Sequence, residues 1–121
     1  PRNVPLTIRY ATILLDAGRA EQAHALLLDL LNNVPPTPEQ VRLIARAAID
    51  SGQTAEAPYH MAEYNIMTGN LVQAVILLRR ASRWAGVTDI QRARFLARAD
   101  FVSNYLSEAQ RLEVRRDRGS S

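Results

Sequence analysis

The sequence predicts an all-α fold, and three observations carry that prediction. Gly18, Gly52 and Gly69 are each followed five residues later by alanine, at Ala23, Ala57 and Ala74, so the glycines stand 34 and then 17 residues apart. Between them apolar residues recur at steps of three and four, with no alternating run of the kind a half-buried strand needs. Capping residues open most of these segments. Glycine adopts the left-handed backbone that ends the first helix of a pair, and alanine lets the second helix cross its partner closely. The expected architecture is an array of about six antiparallel helices.

Asn3 caps a first helix with Pro5 in its opening turn, and Leu6, Tyr10, Ile13, Leu14 and Ala17 recur along it until Gly18. The second helix runs over about 20–33, with Ala23, Leu26, Leu27, Leu30 and Leu31 as one stripe. Pro35, Pro36 and Pro38 forbid its continuation. Thr37 and Gln40 form a capping box around Pro38, opening a third helix through Val41, Ile44, Ala45, Ala48 and Ile49. The fourth helix, about 54–67, tolerates Pro58 near its start and ends before Gly69. Asn70 and Gln73 open a fifth, with Leu71, Ala74, Leu78 and Ala81 inward and an end near Trp84. Thr88 and Gln91 begin a long sixth over about 88–115, through Phe95, Ala99, Val102, Leu106 and Ala109, which reads as a C-terminal cap. Trp84 and Phe95 are expected between the fifth and sixth helices. Residues 116–121 are charged and small and are expected to fray.

At 121 residues, 47% hydrophobic and 6% aromatic, the chain suits one domain over 1–116 whose core is Leu, Ile, Val and Ala. No apolar run approaches the roughly 18 residues of a membrane span, and no signal segment opens the chain. It begins at Pro1 without methionine, with a cap close behind, which points to a domain excised from a longer protein. Cysteine is absent, so disulfides and thiolate chemistry are excluded. All 15 basic residues are arginine. Residues 1–70 carry net charge −2 and residues 71–121 net +5.

On a 34-residue template, Tyr10, Ala11, Leu14, Gly18, Ala23, Leu27, Leu30 and Pro35 take the signature positions of a tetratricopeptide-type repeat over about 4–37. Ile44, Ala45, Ala48, Gly52, Ala57 and Met61 repeat the pattern over about 38–68. Met61, Ala62, Gly69, Ala74, Leu78 and Ala81 fit a third repeat, about 55–87, that begins half a period early. Helix four thus serves two registers, and the sequence leaves open which of its faces lines the inner side.

Asn3-Val4-Pro5-Leu6, Tyr10-Ala11, Leu14-Leu15, Ala62-Glu63-Tyr64 before Gly69-Asn70-Leu71, and Gln91-Arg92-Ala93-Arg94 with Ala97-Arg98 together resemble one family. It is the C-terminal repeat domain of the bacterial periplasmic zinc metalloproteases related to the beta-barrel assembly-enhancing protease, and the resemblance covers roughly residues 3–100. Pro58, Asn65 and the sequence beyond Ala99 depart from it. The resemblance implies a catalytic domain with an HExxH zinc site ahead of this segment, a periplasmic location, and a non-catalytic role in holding outer-membrane barrel proteins or their assembly machinery. Without it, a cytoplasmic adaptor or oligomerisation module with no protease attached is the alternative.

The residues themselves favour binding over catalysis. His24 and His60 are the only histidines and no HExxH occurs, so no metal or other cofactor is expected in this chain. Neither Ser51 nor Ser82 lies in a nucleophile elbow, and each glycine stands alone at a helix end, so no phosphate loop forms. An inner groove built as in other tetratricopeptide domains would draw on Ile8, Arg9, Thr12 and Leu15, then Arg42, Leu43, Arg46 and Ile49, with Tyr59, His60, Glu63 and Met67 under the shifted register. Of these, Arg9, Thr12, Arg42, Arg46, Tyr59 and Glu63 are the candidate partner-binding residues, suited to a peptide with acidic and hydrophobic groups. Leu15, Leu43 and Ile49 serve either the groove or the core. Arg79, Arg80, Arg83, Arg92, Arg94 and Arg98 face one acid, Asp89, within twenty residues. This basic patch fits an acidic protein or membrane-proximal surface, or a plain solvated helix face. It lacks the interleaved aromatics that nucleic acid would stack on.

Overall fold

The computed structural model describes residues 3–120, and among these the chain is entirely helical apart from its turns. Seven helices follow one another: α1 (Val4–Asp16), α2 (Ala20–Asn33), α3 (Pro38–Asp50), α4 (Ala57–Met67), α5 (Leu71–Ala81), α6 (Asp89–Ser103) and α7 (Glu108–Ser120). None is long and apolar enough to cross a membrane. The chain divides into two compact units, residues 1–61 and 62–121, and the division falls within α4, the helix on which the two sequence registers overlap.

Local chemistry sets the helix ends. Gly18 and Gly52 have φ of +77° and +85°, a left-handed backbone that disfavours any residue with a Cβ. At each, the following amide closes back over the turn: Arg19 N donates to Leu14 O at 2.8 Å and Gln53 N to Ala48 O at 2.7 Å. The same bond recurs at the half-period turn, from Asn70 N to Asn65 O at 2.7 Å. Asn3 caps α1 by accepting from the Leu6 amide at 3.0 Å, and the capping boxes of Thr37 with Gln40 and Thr88 with Gln91 are both closed.

Expectations about helix boundaries and caps are corrected. The long sixth helix over 88–115 is two helices. Ser107 Oγ accepts from the Gln110 amide at 3.2 Å while Gln110 Oε1 accepts from the Ser107 amide at 2.9 Å, a third capping box that starts α7 afresh. α7 runs through Ser120, and Ser121 lies outside the described residues. α4 starts at Ala57 rather than 54, because Pro58 has no amide hydrogen to give and residues 54–56 form a separate turn ahead of it. Asn70 makes no side-chain cap on α5, and its side-chain Nδ2 donates to Thr68 Oγ1 at 3.3 Å.

In the first unit α1 packs on α2 and α2 on α3. Ala11, Leu14, Leu15, Ala20, Ala23, Leu27, Ile44 and Ala47 form the core, with Ile8, Leu26, Leu31 and Leu43 against it. The alanines at the crossings bring the backbones close around Leu27. In the second unit α5 packs on α6 and on α7. Phe95 is its largest fully buried side chain, in the company of Val75, Leu78, Ala81 and Ala99 among the buried residues. Trp84, expected beside it, is instead 45% exposed, because it falls in the turn that follows α5.

Candidate functional site

In the first unit, α1 and α3 present a common polar ridge. Arg9, Thr12 and Asp16 recur at helical spacing along α1, as do Arg42, Arg46 and Ile49 along α3, and an ion pair joins the two rows: Arg46 reaches Asp16 at 3.2 Å and Asp50 at 3.5 Å. These groups are exposed, so each pair contributes only about 0.2–1 kcal/mol and yields readily to a competing carboxylate. Arg9 and Arg42 are exposed on the same ridge, and Thr12 is half-buried with its hydroxyl donated to Ile8 O at 2.9 Å. Of the residues the sequence left between groove and core, Leu15 is buried, Leu43 packs on the core, and Ile49 is exposed. Tyr59 sits on α4 with its ring edge-on to His60, 6.4 Å between centroids. The ridge thus carries three guanidiniums, the two carboxylates of Asp16 and Asp50, a hydroxyl and an apolar group within one unit.

Glu63, a candidate groove residue, is engaged by an arginine of its own unit. In the second unit its two carboxylate oxygens accept from Arg98 Nε at 2.6 Å and Nη2 at 3.1 Å, a forked pair with side chains 23% and 28% exposed. Arg98 also lies over the Phe101 ring, 5.4 Å from its centroid. One predicted groove residue and one predicted patch residue therefore hold each other.

In the basic patch, Arg79, Arg80 and Arg98 meet acids far away in sequence, and Arg92 meets the nearby Asp89. Arg79 lies 3.9 Å from Asp100 and donates to Ser103 Oγ at 3.3 Å, Arg80 is forked onto Asp117, and Arg92 pairs with Asp89 at 3.1 Å while donating to Ser82 O at 2.8 Å. Arg83 and Arg94 are exposed. A single basic surface of six arginines does not form. A cleft of about 330 Å³ is lined by Arg79, Arg111 and Arg115 together with Ser103, Asn104 and one acid, Asp100, and Arg111 donates to Ser103 O at 3.3 Å. Three guanidiniums against one carboxylate suit an oxyanion. The sequence reading missed Arg111 and Arg115 because it carried one straight helix through residue 107. The Ser107/Gln110 pair was the signal that turns α7 and brings them beside Arg79.

His24 on α2 and His60 on α4 are both buried, with rings edge to face at 6.5 Å. His24 Nε2 is buried without a hydrogen-bond partner. Burial lowers the His24 pKa below its ordinary 6.5, and the Glu56 carboxylate opposes that shift only in part. Above that ordinary value both folded and unfolded chains carry neutral His24. As pH falls through it the unfolded chain takes up a proton that the folded chain refuses, so stability declines until the lower folded pKa is passed. The melting temperature should therefore be lower at about pH 5.5 than at about pH 7.5. His24→Leu should reduce that difference, whereas an unchanged difference would assign the effect to other groups.

Among the described residues, no group of three or more histidine, aspartate and glutamate side chains gathers as a metal site. Compared with known families, with curated proteins and with solved structures, the chain matches none.

Proposed function

We propose that this chain is a tetratricopeptide-type module that binds a protein partner through the α1–α3 ridge, gripping acidic groups of an extended or helical peptide with Arg9, Arg42 and Arg46. The observation that carries the reading is the Arg46–Asp16 bond, which sets two helices related by the 34-residue period side by side with their arginines on one exposed face. Guanidiniums give bidentate, orientation-sensitive contacts to carboxylates, and the exposed Ile49 beside them supplies apolar area. The resemblance of residues 3–100 to the repeat domain of periplasmic zinc metalloproteases supports the further reading that the partners are outer-membrane barrel proteins or their assembly machinery. On that reading the zinc chemistry belongs to a domain ahead of Pro1, and an HExxH sequence encoded upstream is the expected finding; a start codon directly before Pro1 contradicts it.

The ridge is tested with a fluorescein-labelled peptide of alternating glutamate and leucine, followed by anisotropy at low and high salt. Binding should weaken with salt, and the double variant Arg42→Ala, Arg46→Ala should weaken it about tenfold or more. Affinity unchanged in the double variant would overturn the assignment.

A further inference from the structure

The outward side of α1 is apolar where solvent should favour polar residues. Leu6, Tyr10 and Ile13, spaced by four and three residues, are 60%, 55% and 57% exposed. The buried side of α1 is formed instead by Ala11, Leu14 and Leu15. The repeat supplies the reason for an apolar outer side. Thirty-four residues later the same three positions are Gln40, Ile44 and Ala47 of α3, and there they are 2%, 0% and 0% exposed. Ile44 and Ala47 share one cluster with Ala23 and Leu27, and α2 is packed on α3. The face that α2 covers on α3 is the face that stands open on α1.

We infer that the Leu6, Tyr10 and Ile13 stripe is a docking face for an acidic amphipathic helix of a partner protein, seated on α1 as α2 is seated on α3. The repeat specifies the apolar half of that partner: a stripe of alanine and leucine at three- and four-residue steps, as in Ala23, Leu27 and Leu30 of α2. Charge specifies the other half. Arg9 borders the stripe midway along it, and the one acid of α1, Asp16, is already held by Arg46. α2 carries Glu21 and Asp29 and no arginine. A second copy of this chain fits poorly, because antiparallel pairing of two α1 helices over the stripe sets Arg9 against the other copy's Arg9. The inference shares Arg9 with the α1–α3 ridge but uses neither Arg42 nor Arg46, so substitutions at those two separate the faces.

The probe is a hydrocarbon-stapled, fluorescein-labelled peptide with the sequence of residues 20–33, the helix that covers the equivalent face of α3. It is titrated with the full chain and with Tyr10→Asp, Ile13→Ser and Arg9→Glu variants. Circular dichroism should show all three variants folded, since each residue is exposed. Binding at micromolar concentration is expected, about tenfold weaker or more for Tyr10→Asp and Ile13→Ser, with most of the salt dependence gone in Arg9→Glu. Arg42→Ala with Arg46→Ala should leave it unchanged, which separates this face from the ridge. No binding at micromolar concentration, or equal binding by Tyr10→Asp, overturns the inference. A dimer in sedimentation equilibrium that Tyr10→Asp splits also overturns it, by assigning the stripe to a second copy.

Discussion

Phe95→Ala is expected to destabilise the protein by about 3–5 kcal/mol, a large share of the roughly 5–15 kcal/mol that holds a domain folded. Phe95 is fully buried on α6, the helix that packs on α5, and the buried residues of those helices include Ala74, Ala81 and Ala99. The truncation removes the largest fully buried side chain of this unit, and buried Val75 and Leu78 can follow it only in part. Chemical denaturation should show a lower midpoint with an unchanged slope. Leu96→Ala, one residue along but exposed, is the control and should cost about 0.5 kcal/mol or less. A Phe95→Ala midpoint close to the parent's would mean that α6 does not pack on α5 through this ring.

Leu27→Ala should cost about 2–5 kcal/mol by the same mechanism in the first unit. Leu27 is fully buried on α2, in a cluster with Ala11, Ala23, Ile44 and Ala47 from three helices. Leu14, Leu15 and Ile44 of the same cluster set how far the site can collapse, and the loss falls within that range accordingly. Leu27→Met, which keeps the volume, should cost less than about 1.5 kcal/mol. Equal losses for the two substitutions would show that side-chain shape rather than the cavity sets the cost.

Local chemistry was legible in the sequence where one residue type satisfied one backbone demand. Gly18, Gly52 and Gly69 sit at positive φ as their spacing predicted, and Thr37 and Thr88 cap their helices with the expected glutamines. Ser107 and Gln110 carry the same signature. There Val102, Leu106 and Ala109 kept helical spacing across the break, because Leu106 is buried from the turn itself, and periodicity hid the cap. The orientation of α1 was not legible from period alone. Apolar residues surround most of that helix, and only comparison with α3 distinguishes the covered face from the open one. The arginines of residues 79–98 were misread for a different reason. Their partners Asp100, Asp117 and Glu63 are brought to them by helix packing, which charge counted along the chain cannot register. The same packing gathers Arg111 and Arg115 beside Arg79, a cluster no linear motif encodes.

On the function proposed above, the α1–α3 ridge receives an acidic partner. Amide chemical-shift mapping of the ¹⁵N-labelled chain, titrated with the glutamate–leucine peptide, tests it most directly. The claim predicts saturable shifts concentrated at Arg9, Thr12, Asp16, Arg42, Arg46 and Ile49, lost together in the Arg42→Ala, Arg46→Ala variant. Shifts confined to the Arg79, Arg111 and Arg115 cleft, with the ridge amides unmoved, would contradict it.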